Sequence, residues 1–290
     1  MRLPVFFAFL ISLAATASGQ IQVALKLHRL QYVAYEPVVA TIKITNLAGR
    51  AIDLRDENGQ RWFGFEVTAG EGQVVAPSGQ ESEMPLRMEP GQTVTRKINL
   101  APRFAVHELG TYRVRANVFF ADLNKFFYSE TKVFRVNDAR AIWQRTVGVP
   151  EGTAGGGGVR TYSLLSNRFP DHTKLYVRVE DKSTGAVYST LPLGRIIAFD
   201  EPQAELDRAN RLHVLYCAAP RTWAYSRIGL NGELLARSTF METKSRPRLQ
   251  PGPDGAIAVR GGVLERPAGS DVKTSVPKLS TRPAAPPTDD

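Results

Sequence analysis

The chain has 290 residues, of which 43% are hydrophobic, a formal charge of +9 and a single cysteine. That length can bury sizeable cores and fits two domains, and one cysteine excludes an intramolecular disulfide. The positive excess is thinly spread, with no Lys/Arg block, basic helix or finger, which argues against a nucleic-acid domain but leaves weak attraction to anionic polymers open.

Met1-Arg2, an apolar run from Leu3 to Ala15 and the small residues Ala17, Ser18 and Gly19 read as a secretory signal peptide over residues 1–19. Cleavage is expected after Ala17 or Gly19. The run is shorter than the ~20 residues of a bilayer span. No later stretch is long and apolar enough to cross a membrane, so the mature protein is expected to be secreted or periplasmic, with no membrane span. An exported chain without disulfides relies on the size of its core, which fits a bacterial envelope or secreted protein.

Residues 20–137 are strand-like throughout. Ile21, Val23, Leu25 and Leu27 alternate with polar residues, as do Val38, Ala40, Ile42 and Ile44. Asn46 to Gly49 turns the chain, and Asp56-Glu57-Asn58-Gly59 forms a polar turn before Phe63, Phe65 and Val67. In Glu108 to Phe120, Tyr112, Val114, Ala116, Val118 and Phe120 take one face, while Arg113, Arg115 and Asn117 take the other. Glu108-x-Gly110-x-Tyr112 resembles a tyrosine corner, in which the hydroxyl ties a strand start to nearby backbone. These signals predict about seven or eight strands, the number found in an immunoglobulin-like sandwich. Tyr35-Glu-Pro-Val38, Ile42 to Asn46, Pro90 to Thr93 and Gly110 to Val114 resemble the immunoglobulin-like sandwiches of bacterial macroglobulin-type and related secreted modules. The resemblance implies a β-sandwich with a binding role and carries no catalytic residue.

Residues 138–158 are expected to be a linker. Asp138 to Arg145 predicts a short helical bridge, and Gly155 to Gly158 a flexible hinge. Residues 159–266 contain a repeat. Pro202 to Val214 aligns without a gap on Pro247 to Val259, and each copy reads as a short strand, a turn of Asp, Asn or Gly, and an apolar strand. A looser copy runs from Tyr162 to Val179. The unit length resembles the blades of secreted propeller proteins. A closed propeller typically needs about four to eight blades, and this stretch supplies about two and a half, so an ordinary duplicated antiparallel sheet stands equally open. Residues 267–290 are rich in Pro, Ala, Ser and Thr and read as a disordered tail. The expected fold is all-β: an immunoglobulin-like β-sandwich, then a repeat-built, partly propeller-like antiparallel domain and the tail.

Chemistry is sparse. His28, His107, His172 and His213 stand apart from one another, and Cys217 lies in an apolar strand as a buried small hydrophobe. Asp53, Asp56, Glu57 and Asn58 crowd a turn but lack the spacing of a calcium loop. No nucleotide loop, hydrolase elbow or zinc motif is present. No catalytic residue, metal site or cofactor is assigned. The ligand-contacting residues expected are Tyr216, Trp223 and Tyr225, whose rings suit sugar stacking or a protein partner. The function predicted is a non-catalytic binding protein whose partner is an envelope or secreted protein, or a polysaccharide, with self-association possible through exposed strand edges. The alternative is a carbohydrate-active enzyme whose carboxylate pair comes from Asp200, Glu201, Glu205 and Asp207 of the second half, with Glu205 and Asp207 the two to test.

Overall fold

The computed structural model describes residues 20–79, 82–153, 155–197 and 200–265. The expected signal peptide (1–19) and disordered tail (267–290) lie outside the described residues. The first half carries β1 (Ile21–Leu27), β2 (Gln31–Val33), β3 (Val39–Asn46), β4 (Ile52–Leu54), β5 (Phe63–Ala69), β6 (Gln73–Val74), β7 (Leu86–Met88), β8 (Thr93–Asn99), β9 (Gly110–Phe120), β10 (Lys125–Tyr128) and β11 (Lys132–Asn137). The second carries β12 (Arg140–Gly148), β13 (Val159–Arg168), β14 (Thr173–Asp181), β15 (Val187–Ile196), β16 (Gln203–Leu206), β17 (Leu212–Ala219), β18 (Thr222–Ile228), β19 (Leu234–Met241), β20 (Arg248–Pro251), β21 (Ile257–Arg260) and β22 (Val263–Glu265). One short 3-10 turn, Ala121–Leu123, is the only helical element among the described residues, and no helix there is long and apolar enough to cross a membrane. The protein is all-β, with a propeller-like arrangement of its sheets.

In the first half a three-stranded sheet, β1-β3-β8, and a larger sheet built on β2-β11-β9-β5-β6 share one core. Strand alternation decides which side chains enter it. On β9, Tyr112, Val114, Ala116, Val118 and Phe120 are buried against Ile21, Leu25, Ile42 and Ile44 of the smaller sheet. The Tyr112 hydroxyl donates to the Glu108 carbonyl at 3.0 Å, the bond its motif predicts. Eleven strands form among the described residues of the first half where about seven or eight were expected, chiefly because β2, β6 and β7 have only two or three residues each and leave little periodicity to read.

The second half is built from neighbours in sequence. Strands β12 to β15 form a four-stranded antiparallel meander, β16 to β19 form another that gains β22 at its edge, and β20-β21 make a separate hairpin. Buried Tyr162, Leu164, Leu175, Val177, Leu212, Val214 and Tyr216 join the two meanders in one core. The helical reading of Asp138 to Arg145 is corrected: Arg140–Gly148 is a strand paired along β13. Pairing with β13, and the packing of Trp143 and Val147 on the core, override local helix propensity.

The repeat is structural. In the first copy, Asp207 N donates to Arg211 O at 3.1 Å and Asn210 N to Asp207 O at 2.9 Å. In the second, Gly252 N donates to Ala256 O at 2.7 Å and Gly255 N to Gly252 O at 3.0 Å. The equivalent Asn210 and Gly255 are both left-handed, with φ of 56° and 75°. This is the tight hairpin whose third loop residue must sit in that region, which selects Asn or Gly. The two copies also touch, since Arg208 N donates to Gly255 O at 3.0 Å.

The halves meet through Val33, which packs with Leu165 and Tyr176. Arg178 donates to the Ala34 carbonyl at 2.8 Å and lies over the Tyr35 ring, which stacks on His107. The glycine run is also more than a hinge. It wraps the guanidinium of Arg160, which is 3% exposed and paired with Asp181 at 2.7 Å. A Cβ on Gly155 would lie 2.6 Å from Arg160 Nη2, so any side chain there would have to displace that guanidinium.

Candidate functional site

A concave site lies in the first half, beside the β5-β9-β10 sheet. Gly64 on β5 and Asn117 on β9 are cross-strand partners. With no side chain at Gly64, the sheet surface dips there, and the Asn117 amide lies across the dip. Phe126 on β10 flanks this floor and packs on Phe119, with ring centroids 5.0 Å apart.

Two walls rise from the sheet. Asn58 and Gly59 both have positive φ, 52° and 75°, and Glu57 and Gln60 exchange backbone bonds of 3.0 and 2.9 Å. That is a two-residue type I′ hairpin, and it sets Gln60 at the rim. Opposite it, Ser78 N donates to Arg103 O at 2.7 Å and Pro77 bridges to Phe104, so two loops are fastened together. Glu83 anchors that side, accepting from Arg96 at 2.6 Å and Arg103 at 2.8 Å. The buried Trp62 beneath donates its indole N–H to the Glu83 carbonyl at 3.0 Å and carries Arg96 over its ring.

The cavity so enclosed has a volume near 420 Å³ and is lined by Phe63, Phe65, Phe104 and Phe126 together with Gln60, Arg61, Arg103 and Asn117. This falls in the size range of small-ligand sites, which are mainly apolar with a few placed polar groups. Among the described residues the Asn117 side chain has no hydrogen-bond partner, so its amide offers one acceptor and two donors to an occupant. The sequence feature that marks this place is Gly64 between Phe63 and Phe65, since a glycine inside a strand signals a close approach or a dip, but it does not by itself reveal a cavity.

The residues singled out by sequence lie elsewhere. Tyr216 is 2% exposed, and its hydroxyl donates to the Leu193 carbonyl at 2.7 Å across the two meanders. Burial pushes its pKa up to about 12. Trp223 is 1% exposed, donates Nε1–H to Glu242 at 2.9 Å and lies under the Arg246 guanidinium. Both rings are therefore packed inside the protein, where neither presents a stacking face. Tyr225 is half-buried, and its hydroxyl sits 2.8 Å from His213 Nδ1.

That contact belongs to a chain of polar groups. Buried His213 reaches Asp207 Oδ2 through Nε2 at 3.2 Å. Asp207 Oδ1 also accepts from the backbone N–H groups of Ala209 and Arg211, each at 2.9 Å, and Oδ2 accepts from Arg211 Nε at 2.7 Å. Burial would raise the Asp207 carboxyl, but the hydrogen bonds from Arg211 and His213 outweigh it and hold the group below its usual range. Burial lowers His213, overcoming its bond to Asp207. Both ring nitrogens of His213 and both oxygens of Asp207 are engaged, so the set is built to hold a turn. Burial, with Asp200 nearby, likewise raises the Cys217 thiol.

In the Asp53 to Asn58 turn, Asp56 accepts from Trp62 N–H at 2.9 Å and from the Ser82 hydroxyl, and Glu57 pairs with Arg55 at 2.8 Å. Among the described residues there is no group of three His, Cys, Asp or Glu side chains placed to hold a metal ion.

No protein-family model matches the chain. No curated protein matches it at a significant level. Among solved structures, the crystal structure of Spo0M, sporulation control protein, from Bacillus subtilis overlaps 58% of this chain and 83% of its own, at 11% identity and a TM-score of 0.29. An overlap that loose carries no argument about function.

Proposed function

We propose that this is an exported, non-catalytic binding protein of the bacterial envelope or secretome, whose first half is an immunoglobulin-like sandwich that holds a saccharide in the Phe-lined cavity. The single observation behind this reading is the Asn117 amide, which has no hydrogen-bond partner among the described residues, on the floor of a cavity near 420 Å³ with phenylalanine on its walls. The C–H faces of a sugar ring pack on aromatic faces, and vicinal hydroxyls both donate to and accept from one amide. Arg103 also lines the cavity, with its guanidinium held by Glu83. The shared core of two sheets and the Tyr112 to Glu108 bond support the sandwich reading. The test is calorimetric titration of the protein with neutral oligosaccharides of glucose, galactose, mannose and N-acetylglucosamine. One of them is expected to bind, and Asn117→Ala to weaken it about tenfold, the cost of one or two lost hydrogen bonds. Binding that Asn117→Ala leaves unchanged, or none to any of the four, overturns the proposal.

A further inference from the structure

The β20-β21 hairpin divides its side chains cleanly between two faces. Leu249 and Val259 turn inward onto Leu215, Cys217 and Trp223. Arg248 and Arg260, directly opposite each other across the strands, are exposed on the outer face with Gln250. No carboxylate pairs with either arginine among the described residues, although Arg246 beside them is paired with Asp200. Like charges directly opposite on a sheet repel and destabilise it. Nothing among the described residues relieves that repulsion.

The two arginines line one groove of about 560 Å³ with Ser245, Arg246, Gln250 and Gly261. Gly261 is required for the groove's shape, because a Cβ there would lie 2.6 Å from the Arg246 carbonyl. We infer that this groove is an oxyanion site for an acidic saccharide, in which the forks of Arg248 and Arg260 grip a carboxylate and Gln250 meets the adjoining hydroxyls. A guanidinium fork matches a carboxylate in two parallel bonds, and one anion between two arginines removes their repulsion. A saccharide is favoured over single-stranded nucleic acid because no aromatic ring lines the groove for base stacking. The site is separate from the Phe-lined cavity and does not rest on it.

The test uses the full protein and trigalacturonic acid as probe, with maltotriose, a thymidine oligonucleotide and a penta-glutamate peptide as comparisons, titrated at low and at physiological salt. Trigalacturonate is expected to bind, and more weakly at the higher salt. Arg248→Gln with Arg260→Gln should weaken it at least tenfold while the circular dichroism spectrum and the melting midpoint hold or rise. Arg248→Lys, which keeps the charge but loses the fork, should fall between. Four outcomes overturn the inference: no binding, an unchanged double variant, equal binding of maltotriose, or tighter binding of the oligonucleotide or the peptide.

Discussion

The Tyr225 hydroxyl lies 2.8 Å from Nδ1 of His213, and the other nitrogen of that ring faces Asp207 at 3.2 Å. A strand, its neighbour and the turn between repeat strands are thus tied by three side chains in line. Buried networks of this kind are stable only while every member is satisfied. Tyr225→Phe leaves one buried His213 nitrogen without its partner. The expected cost is about 1–3 kcal/mol, read from urea denaturation.

The same set makes stability depend on pH. Folding lowers the His213 pKa below the ~6.5 of the unfolded side chain, so the unfolded state binds the extra proton first. The contribution of His213 is full above that pH and is lost as pH falls from it toward the folded pKa. Asp207, held below its ordinary value, adds a second loss below about pH 4. The melting midpoint should therefore fall on going from about pH 7 to about pH 5, and His213→Asn should flatten that slope. An equal slope in the variant would assign the effect to other groups.

Gly155 and Gly152 both have positive φ, 80° and 84°, but only Gly155 has Arg160 against it. Gly152→Ala should cost about 1 kcal/mol from backbone strain alone. Gly155→Ala should cost more, because it also displaces a buried guanidinium from its place beside Asp181. Thermal denaturation of the two variants side by side measures the difference.

A Cβ on Gly194 would lie 2.9 Å from the Tyr216 hydroxyl, which needs that space to reach the Leu193 carbonyl. Gly194→Ala and Tyr216→Phe should each destabilise by about 1–3 kcal/mol. Together they should cost less than their sum by at least about 1 kcal/mol, since the phenylalanine no longer needs the space. A double-mutant cycle in urea gives the coupling directly.

Tyr112→Phe removes the bond to Glu108 and keeps the ring packed on Phe134. A loss of about 1 kcal/mol is expected, with no change in fold. The check is the urea midpoint together with near-ultraviolet circular dichroism.

What the sequence disclosed followed its strongest periodicities. Ile21 to Leu27 and Tyr112 to Phe120 alternate, and their buried faces are the ones observed. The duplicated hairpin was readable because Asn210 and Gly255 fill the same left-handed position, a demand that backbone geometry makes of residue type. Arg140–Gly148 was misread because an edge strand is mostly exposed, and its partner β13 lies beyond a glycine loop. The cavity was not visible because its walls come from loops far apart in sequence, fastened by Ser78 and Arg103. Trp223 and Tyr225 drew attention as aromatic side chains in a hairpin. Which face of a strand is covered depends on the neighbouring sheet, and here Arg246 and the β20-β21 hairpin cover Trp223.

The pairing pattern sets an order of assembly. In the second half each meander strand finds its partner in the segment just before or after it, so hairpins from β12 to β19 can zip up locally. The first half cannot close in this way. Its strand β2 waits for a parallel partner, with Gln31 opposite Arg135 and Val33 opposite Asn137, and β9 must collect both β5 and β11. Closing such long loops slows the search for the native topology. On refolding, the second half should gain amide-exchange protection first, and the barrier for the first half should be set by the docking of Lys132–Asn137.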